Sequence, residues 1–515
     1  MLSIHRLVRL LPAMAVLLFA WGAVAQSFRV QCPTNTTLHQ PLTDGTSNPG
    51  IKCQQISGGD GFATMGDGTQ TYLFGFGPLS GLADIVQGLP GTQPASVFNV
   101  DNSPNLPNIG DPQPGYVFNG AIGLVPDPES VPANQLTGHV DPRLIMDVGV
   151  MNANQPAPLF AIDEDDEFFL TLTNVGQIMR PDLFEQHTVH FHGYPNASSF
   201  YDGVPDASIA INIGGSFTYY YLAPEAGTYF WHCHISPPEH LQMGMVGQIY
   251  VRPRQNRVNG PLRDALKMAN IANARPAGNT DAWSGETCND ILCSGQTPLP
   301  PANSAINNGT GKYAYNDGDG STAYDVEYPL QMMGFDPNFH FVGMTFNPES
   351  FTDMKDKYFM LNGRSYPDTI SPGTMQTQST DGTLHSSQPL PSIINIPAGG
   401  KALLRISDLS VTELSTLASL GIPMKVIALN ARLLRDSAGN DMSYYTNSIT
   451  LGGGESLDVI LDATGYSAGQ KFYLYTPNLD HLSNDAENFG GMMTEVNICT
   501  SFDPTTKVWT GCPSI

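Results

Sequence analysis

The apolar residues of this chain come in short runs, rich in Val, Ile, Phe, Tyr and Thr and broken by Gly, Pro, Asn and Asp. "EFFLTLTNV", "GQIYVRP", "KALLRISDL" and "KFYLYTPN" are examples. In "SLDVILD", Leu457, Val459 and Leu461 take every second position, which is the period of a β-strand. Repeated along the chain, the pattern predicts an all-β fold, with sandwiches or barrels as the usual solutions. One helix is expected over "PLRDALKMANIANA", Pro261 to Ala274. The spacing of the runs divides the chain. Residues 26–140 read as a loop-rich N-terminal region with a few strands such as "TYLFGF". Residues 141–253 form a first β domain, 254–310 a connector, 311–500 a second β domain and 501–515 a C-terminal tail.

The first 25 residues carry a different pattern. Arg6 and Arg9 precede an apolar stretch, Leu10 to Ala20, and Ala23-Val24-Ala25 supplies small residues for cleavage. This is the layout of a signal peptide, residues 1–25, with the mature chain starting near Gln26. The stretch falls short of the ~20 residues a membrane-crossing helix needs, and no later run is long enough, so no membrane span is expected. Export implies an oxidising site: extracellular, periplasmic or cell surface. The seven cysteines fit that compartment. Six fall into sequence neighbours, Cys32 with Cys53, Cys288 with Cys293 and Cys499 with Cys512, and local disulfides are expected. Cys233 is left over. A formal net charge of -24 repels nucleic acid and anionic lipid, and favours cationic small molecules, metal ions or a basic redox partner.

Six of the twelve histidines gather in two short segments, "HTVHFHG" (His187 to Gly193) and "WHCHISPPEHLQMGM" (Trp231 to Met245). Side chains alternate across a strand. His190 and His192 therefore share one face, and His187 points to the other. His232 and His234 share a face, with Cys233 pointing away. Pairing the two segments makes two sites. One holds Cys233 and His187, and the two prolines after "WHCHIS" should turn the chain into a loop that returns His240 and a methionine to it. Two imidazoles, one thiolate and one thioether match a blue-copper electron-transfer site, whereas zinc prefers Cys/His ligands without Met. Met243 and Met245 both compete for the axial place. The other site holds His190, His192, His232 and His234. A one-electron centre joined through Cys233 to a His-rich centre implies multi-electron redox chemistry with dioxygen as oxidant.

The two segments resemble the H-x-x-H-x-H-G and H-C-H…H…G-M segments of the multicopper oxidases. "PLFAIDEDDEFFLTLTNVG" and "EAGTYFWHCH" are similar to strands of their cupredoxin domains, and "DKYFMLNGRSYPDT", "IPAGGKALLRISDLS" and "LGGGESLDVILDATG" resemble a metal-free one. The resemblance covers residues 150–250 closely and 310–500 more loosely. It implies tandem cupredoxin-like Greek-key β-sandwiches and copper as cofactor. It also implies His187, Cys233, His240 and Met245 as type 1 ligands, with His190, His192, His232 and His234 on a type 2/type 3 copper cluster. Gly244 and the resemblance favour Met245 over Met243. Cys233, His232 and His234 then carry the electrons. The expected activity is a laccase-like oxidase: a phenolic, amine or metal-ion donor loses one electron at a time and dioxygen is reduced. The family uses eight histidines around its cluster, and four are found here. A second copy of the chain facing the first is the candidate source of the rest. Two other functions fit the residues: a copper electron-transfer or nitrite-reductase-like protein, and a copper-binding surface structural protein. "NDGDGS", Asn316 to Ser321, lacks the late Glu of a calcium loop and should be a turn.

Overall fold

The computed structural model describes residues 30–101, 117–194, 198–261, 306–308, 312–343 and 350–514, except 31, 43, 258 and 381. The signal-peptide segment, nearly all of the expected helix from Pro261, and Cys288 and Cys293 lie outside these residues. No described helix is long and apolar enough to cross a membrane. The described chain is mostly strand, and the fold is all-β.

Among the described residues, the first sandwich has nine strands: β1 (Ile51–Thr64), β2 (Gln70–Pro78), β3 (Gln93–Pro94), β4 (Phe160–Asp163), β5 (Glu167–Gly176), β6 (His190–His192), β7 (Ser216–Leu222), β8 (Gly227–His232) and β9 (Val246–Arg252). One sheet runs β2-β1-β5-β7, with β3 on the edge of β1, and the other runs β4-β9-β8-β6. Between them lies an aromatic core. Trp231, fully buried, stacks on Phe160 at 4.4 Å and meets Phe76 at 5.0 Å. Burying an aromatic side chain of this size contributes up to ~3 kcal/mol relative to exposure.

β1 and β2 come from the segment that reads as loop-rich; β2 contains the expected strand "TYLFGF", whereas β1 differs from the sequence expectation. β1, "IKCQQISGGDGFAT", is dense in glycine, which is depleted in strands. It is nevertheless buried almost throughout and pairs parallel with β5, with a bulge between Gly58 and Gly59. A Cβ on Gly59 would lie 2.7 Å from Val175. Glycine is there because neighbours press on the backbone, not because the chain turns. The Cys32–Cys53 disulfide ties the preceding loop to β1, and Cys499–Cys512 ties the tail, as the local pairing predicted for these two.

A second sandwich follows. One sheet contains Val326–Phe335, Tyr358–Leu361, Lys401–Asp408, Ser456–Asp462 and Met424–Leu429, and the facing sheet contains Ile394–Pro397, Met493–Cys499, Lys471–Tyr475, Ser415–Leu420 and Ser448–Leu451. Leu457, Val459 and Leu461 enter its core, as their alternation predicted. The opposite face of the same strand is buried too, because it meets the first sandwich: Asp458 accepts from Thr228 Oγ1 at 2.6 Å. "NDGDGS" is a turn, in which Asp317 accepts from Gly320 N, Thr322 N and Gln255 Nε2.

Polar contacts hold the sandwiches together. Gln248 Nε2 donates to the Arg405 carbonyl (2.9 Å) and to Ser407 Oγ (2.8 Å). Glu327 lies between Arg252 (2.7 Å) and Arg405 (3.0 Å). Burial alone would raise its carboxyl, but the two guanidinium groups hold it at about 2. Asp356 accepts from Gln242 Nε2 (2.9 Å) in the first sandwich and from Thr412 Oγ1 in the second.

This last contact yields a pH prediction. Burial raises the Asp356 carboxyl to about 6, against the pull of its two hydrogen bonds. The group binds its proton more tightly in the folded chain than in the unfolded one. Its stabilising contribution is therefore complete below pH ~4 and is lost as pH rises through ~6, a change of at most about 3 kcal/mol. Asp356→Asn removes this dependence. The Tm of the variant relative to the parent should rise by a few degrees between pH ~4 and ~7. A difference that stays flat over that range contradicts the assignment.

Candidate metal centre

The register of β6 on β8 arranges the site. His190 pairs with His232, Phe191 with Trp231 and His192 with Phe230. Phe191 and Trp231 point inward and fill the core. His190, His192 and His232 therefore point out of the sheet. Past the end of β8 the chain stays extended, with Cys233 N donating to the Met245 carbonyl at 3.0 Å. Alternation turns Cys233 inward, where it is fully buried and is the one free cysteine among the described residues.

On the inner side, His187, Cys233 and His240 bring one donor atom each within 4.8 Å of one another. All three are buried. His240 Nδ1 stands 3.3 Å from the sulfur, and Thr188 N donates to that sulfur at 3.4 Å. Neither ring nitrogen of His187 has a hydrogen-bond partner, and nor does His240 Nε2. Buried nitrogens left without partners are costly unless something else satisfies them. Burial pushes the Cys233 thiol up, but the charges and contacts of His240 and His187 outweigh it and hold the thiol well below its ordinary range. Burial would lower His240, yet the Cys233 thiolate and Glu185 lift it to about 9. A buried thiolate facing His240 Nδ1 and the unpartnered imidazole of His187 fits a copper ion.

The segment after Cys233 is not the expected loop. Pro237 and Pro238 open a short helix, Pro237–Met243. Proline lacks an N–H and suits the first turn, where no intrahelical acceptor waits for one. The helix carries His240 to the thiolate and ends at Gly244, whose φ of 122° favours glycine. The two methionines that flank Gly244 face different neighbours. A Cβ on Gly58 would lie 2.7 Å from His187 Cδ2 and 3.4 Å from Met245 Cε, so Met245 ends beside His187. A Cβ on Gly343 would lie 3.3 Å from the sulfur of Met243, so Met243 faces the helix Pro337–Gly343.

On the outer side, His190, His192 and His232 bring one nitrogen each within 4.8 Å of one another. His190 Nδ1 donates to the Asp202 carbonyl and His232 Nδ1 to that of Cys233, both at 2.6 Å. Each Nε2 then keeps its lone pair for a metal. Burial and the crowding of the other three imidazoles lower His232 to about 3, which keeps it neutral. His234 stands beside the trio, its ring 5.1 Å from that of His190 and 5.5 Å from that of His232. The remaining described histidines are engaged elsewhere. His39 meets Glu167, His139 meets Asp127, His385 meets Ser379 and His481 meets Glu413. His340 lies between the carbonyls of Tyr72 (2.6 Å) and Gln242 (2.8 Å).

Two features escape the sequence reading. Gly58 lies against His187, and Glu185 Oε2, on a partly exposed side chain, stands 3.7 Å from the buried His240 Nε2. Glu185 sits two residues before His187, so strand parity could have flagged it. Gly58 carries no signal beyond an apolar segment rich in glycine.

A family profile described as "Multicopper oxidase" matches residues 137–256. Both histidine segments lie inside this match. "Laccase abr2" of Aspergillus fumigatus is 33% identical over 109 residues, 21% of this chain and 17% of that protein. "Multicopper oxidase MCE" of Talaromyces pinophilus is 32% identical over 112 residues, with the same shares. The match thus spans under a fifth of the length of these relatives. Among solved structures, a blue copper oxidase from Nitrosomonas europaea covers 86% of this chain, with 85% of its own, at 17% identity and a TM-score of 0.47.

The Gly58 contact is testable. An alanine there puts a methyl 2.7 Å from His187, closer than real Cβ contacts come, and His187 must retreat. Gly58→Ala should weaken copper retention at the thiolate about 10–100-fold, with unchanged far-ultraviolet circular dichroism. Undiminished retention would show that His187 does not depend on this close approach.

Proposed function

We propose that this chain is an exported copper oxidase that takes single electrons from a small donor at the Cys233 side and delivers them to dioxygen at the imidazole face. The observation that carries the reading is the single extended stretch His232-Cys233-His234. It gives one residue to the buried thiolate site and its neighbours to the outer face. When bound, copper supplies a one-electron acceptor at the thiolate and a dioxygen-reducing centre at the imidazoles.

The residues then have separable tasks. His187, Cys233 and His240, together with Met245, would hold the type 1 ion. Met243 is left to packing. His190, His192, His232 and His234 line the oxygen-reducing centre. The backbone from Cys233 to His232 and His234 is the covalent route between the two. Glu185, partly exposed and 3.7 Å from the buried His240 Nε2, marks the side of donor approach. A carboxylate there suits a donor that is cationic or that sheds a proton on oxidation, such as a metal ion, an aromatic amine or a phenol. Residues 141–253 with β1 and β2 form the copper-bearing unit, and residues 311–500 form its support. Two disulfides and the N-terminal apolar segment support a site outside the cytoplasm.

Oxygen uptake by copper-loaded protein with a phenolic donor tests the reading. Cys233→Ser should abolish donor oxidation and visible colour while the fold persists. Uptake that survives this change refutes the reading. Met245→Leu should keep the colour and raise the reduction potential, because the oxidised ion loses a donor. Met243→Leu should do neither, and the reverse pattern would make Met243 the axial ligand.

A further inference from the structure

The outer imidazole face borders a cleft of about 430 Å³, and this chain's own second sandwich forms its other wall. That wall includes Ser410, Thr412, Glu413, Gly453 and Gly454, together with apolar side chains, and among the described residues it holds no imidazole. His481, bonded to the wall residue Glu413, is buried, donates to that carboxylate at 2.8 Å and stacks on Phe359 at 3.6 Å. Gly454 approaches His192 so closely that a Cβ there would lie 3.2 Å from His192 Nε2. The second sandwich thus already covers one side of the face from which further ligands would have to come.

We propose that His190, His192 and His232 hold one copper ion, giving two coppers per chain rather than the four of a type 1 ion plus a three-ion cluster. The proposal rests on the copper oxidase reading above and specifies the metal count at its second centre. A metal–imidazole bond is about 2 Å long, so nitrogens within 4.8 Å of one another can share one ion after small adjustments. The Nδ1 atoms of His190 and His232 are already committed to carbonyls, so each of these rings offers a single bond. Each imidazole of this face therefore counts as one ligand, and four such ligands are too few for three ions. Three of them saturate one ion and leave it an open position, as reacting metal sites require. The cleft that His192 and His232 line gives access to it. His234, outside the trio, is free to orient its neighbours.

Copper content, electron paramagnetic resonance and native mass of the loaded full-length chain test this together. Two coppers per chain are expected, both visible by resonance, one with the thiolate colour and one without. No near-ultraviolet absorption of coupled coppers is expected. His192→Ala should lower the count to one and remove only the colourless signal. Any count above two overturns the proposal, including one reached in an oligomer where a second copy lends its imidazoles; the oxidase reading would stand. A count of one, or a colourless signal that His192→Ala leaves in place, also overturns it. Absence of the thiolate colour would instead defeat the oxidase reading itself.

Discussion

The structure turns on the alternation of side chains through one extended stretch. Trp231 must be inside, because it stacks on Phe160 and closes the core of the first sandwich. With Trp231 fixed, His232 is outside and Cys233 is inside, and neither can exchange places without turning the strand over. The β6–β8 register carries the same constraint to the neighbouring strand, so Phe191 is inside and His190 and His192 are outside. Two chemically different sets of side chains then lie on opposite sides of one sheet edge, a few covalent bonds apart. A packing requirement thus sets the two groups back to back.

The second sandwich supports this edge. None of its described residues joins His187, Cys233 and His240 at the thiolate site, but it grips the helix that carries His240. Gln242, two residues on, donates to Asp356, and its carbonyl meets His340. Both partners belong to the second half of the chain. Farther along the interface, Glu327 is shared by an arginine from each sandwich. A buried charge of this kind is weak support in itself, but it is expensive to break one partner at a time, so it fixes relative position. The imidazole face lies at the margin of the same interface, and its surroundings depend on that position.

Much of the site is legible in the sequence because it is local. Strand parity assigns Cys233 and the four outer histidines to opposite faces from spacing alone. The period of "SLDVILD" likewise identifies its core face. What escapes is whatever depends on contacts far apart in the chain. β1 reads as a loop because its glycines answer to pressure from Val175 and His187, more than a hundred residues away. Pro237 and Pro238 read as breakers, although proline also starts helices, and only the packing of His240 on Cys233 decides between the two. The separation of Met243 from Met245 is not in their spacing. It depends on Gly58 and Gly343, which lie on elements that the sequence does not pair. The role of the second sandwich as a wall of the cleft is invisible for the same reason.

The central claim is that one strand edge presents two separate metal sets, back to back. The most direct measurement is anomalous scattering at the copper edge from crystals of the loaded protein. The account predicts one peak between the sulfur of Cys233 and the rings of His187 and His240, and density across the sheet edge among His190, His192 and His232. A metal-free Cys233, or a single peak ligated by Cys233 together with the outer histidines, would contradict it.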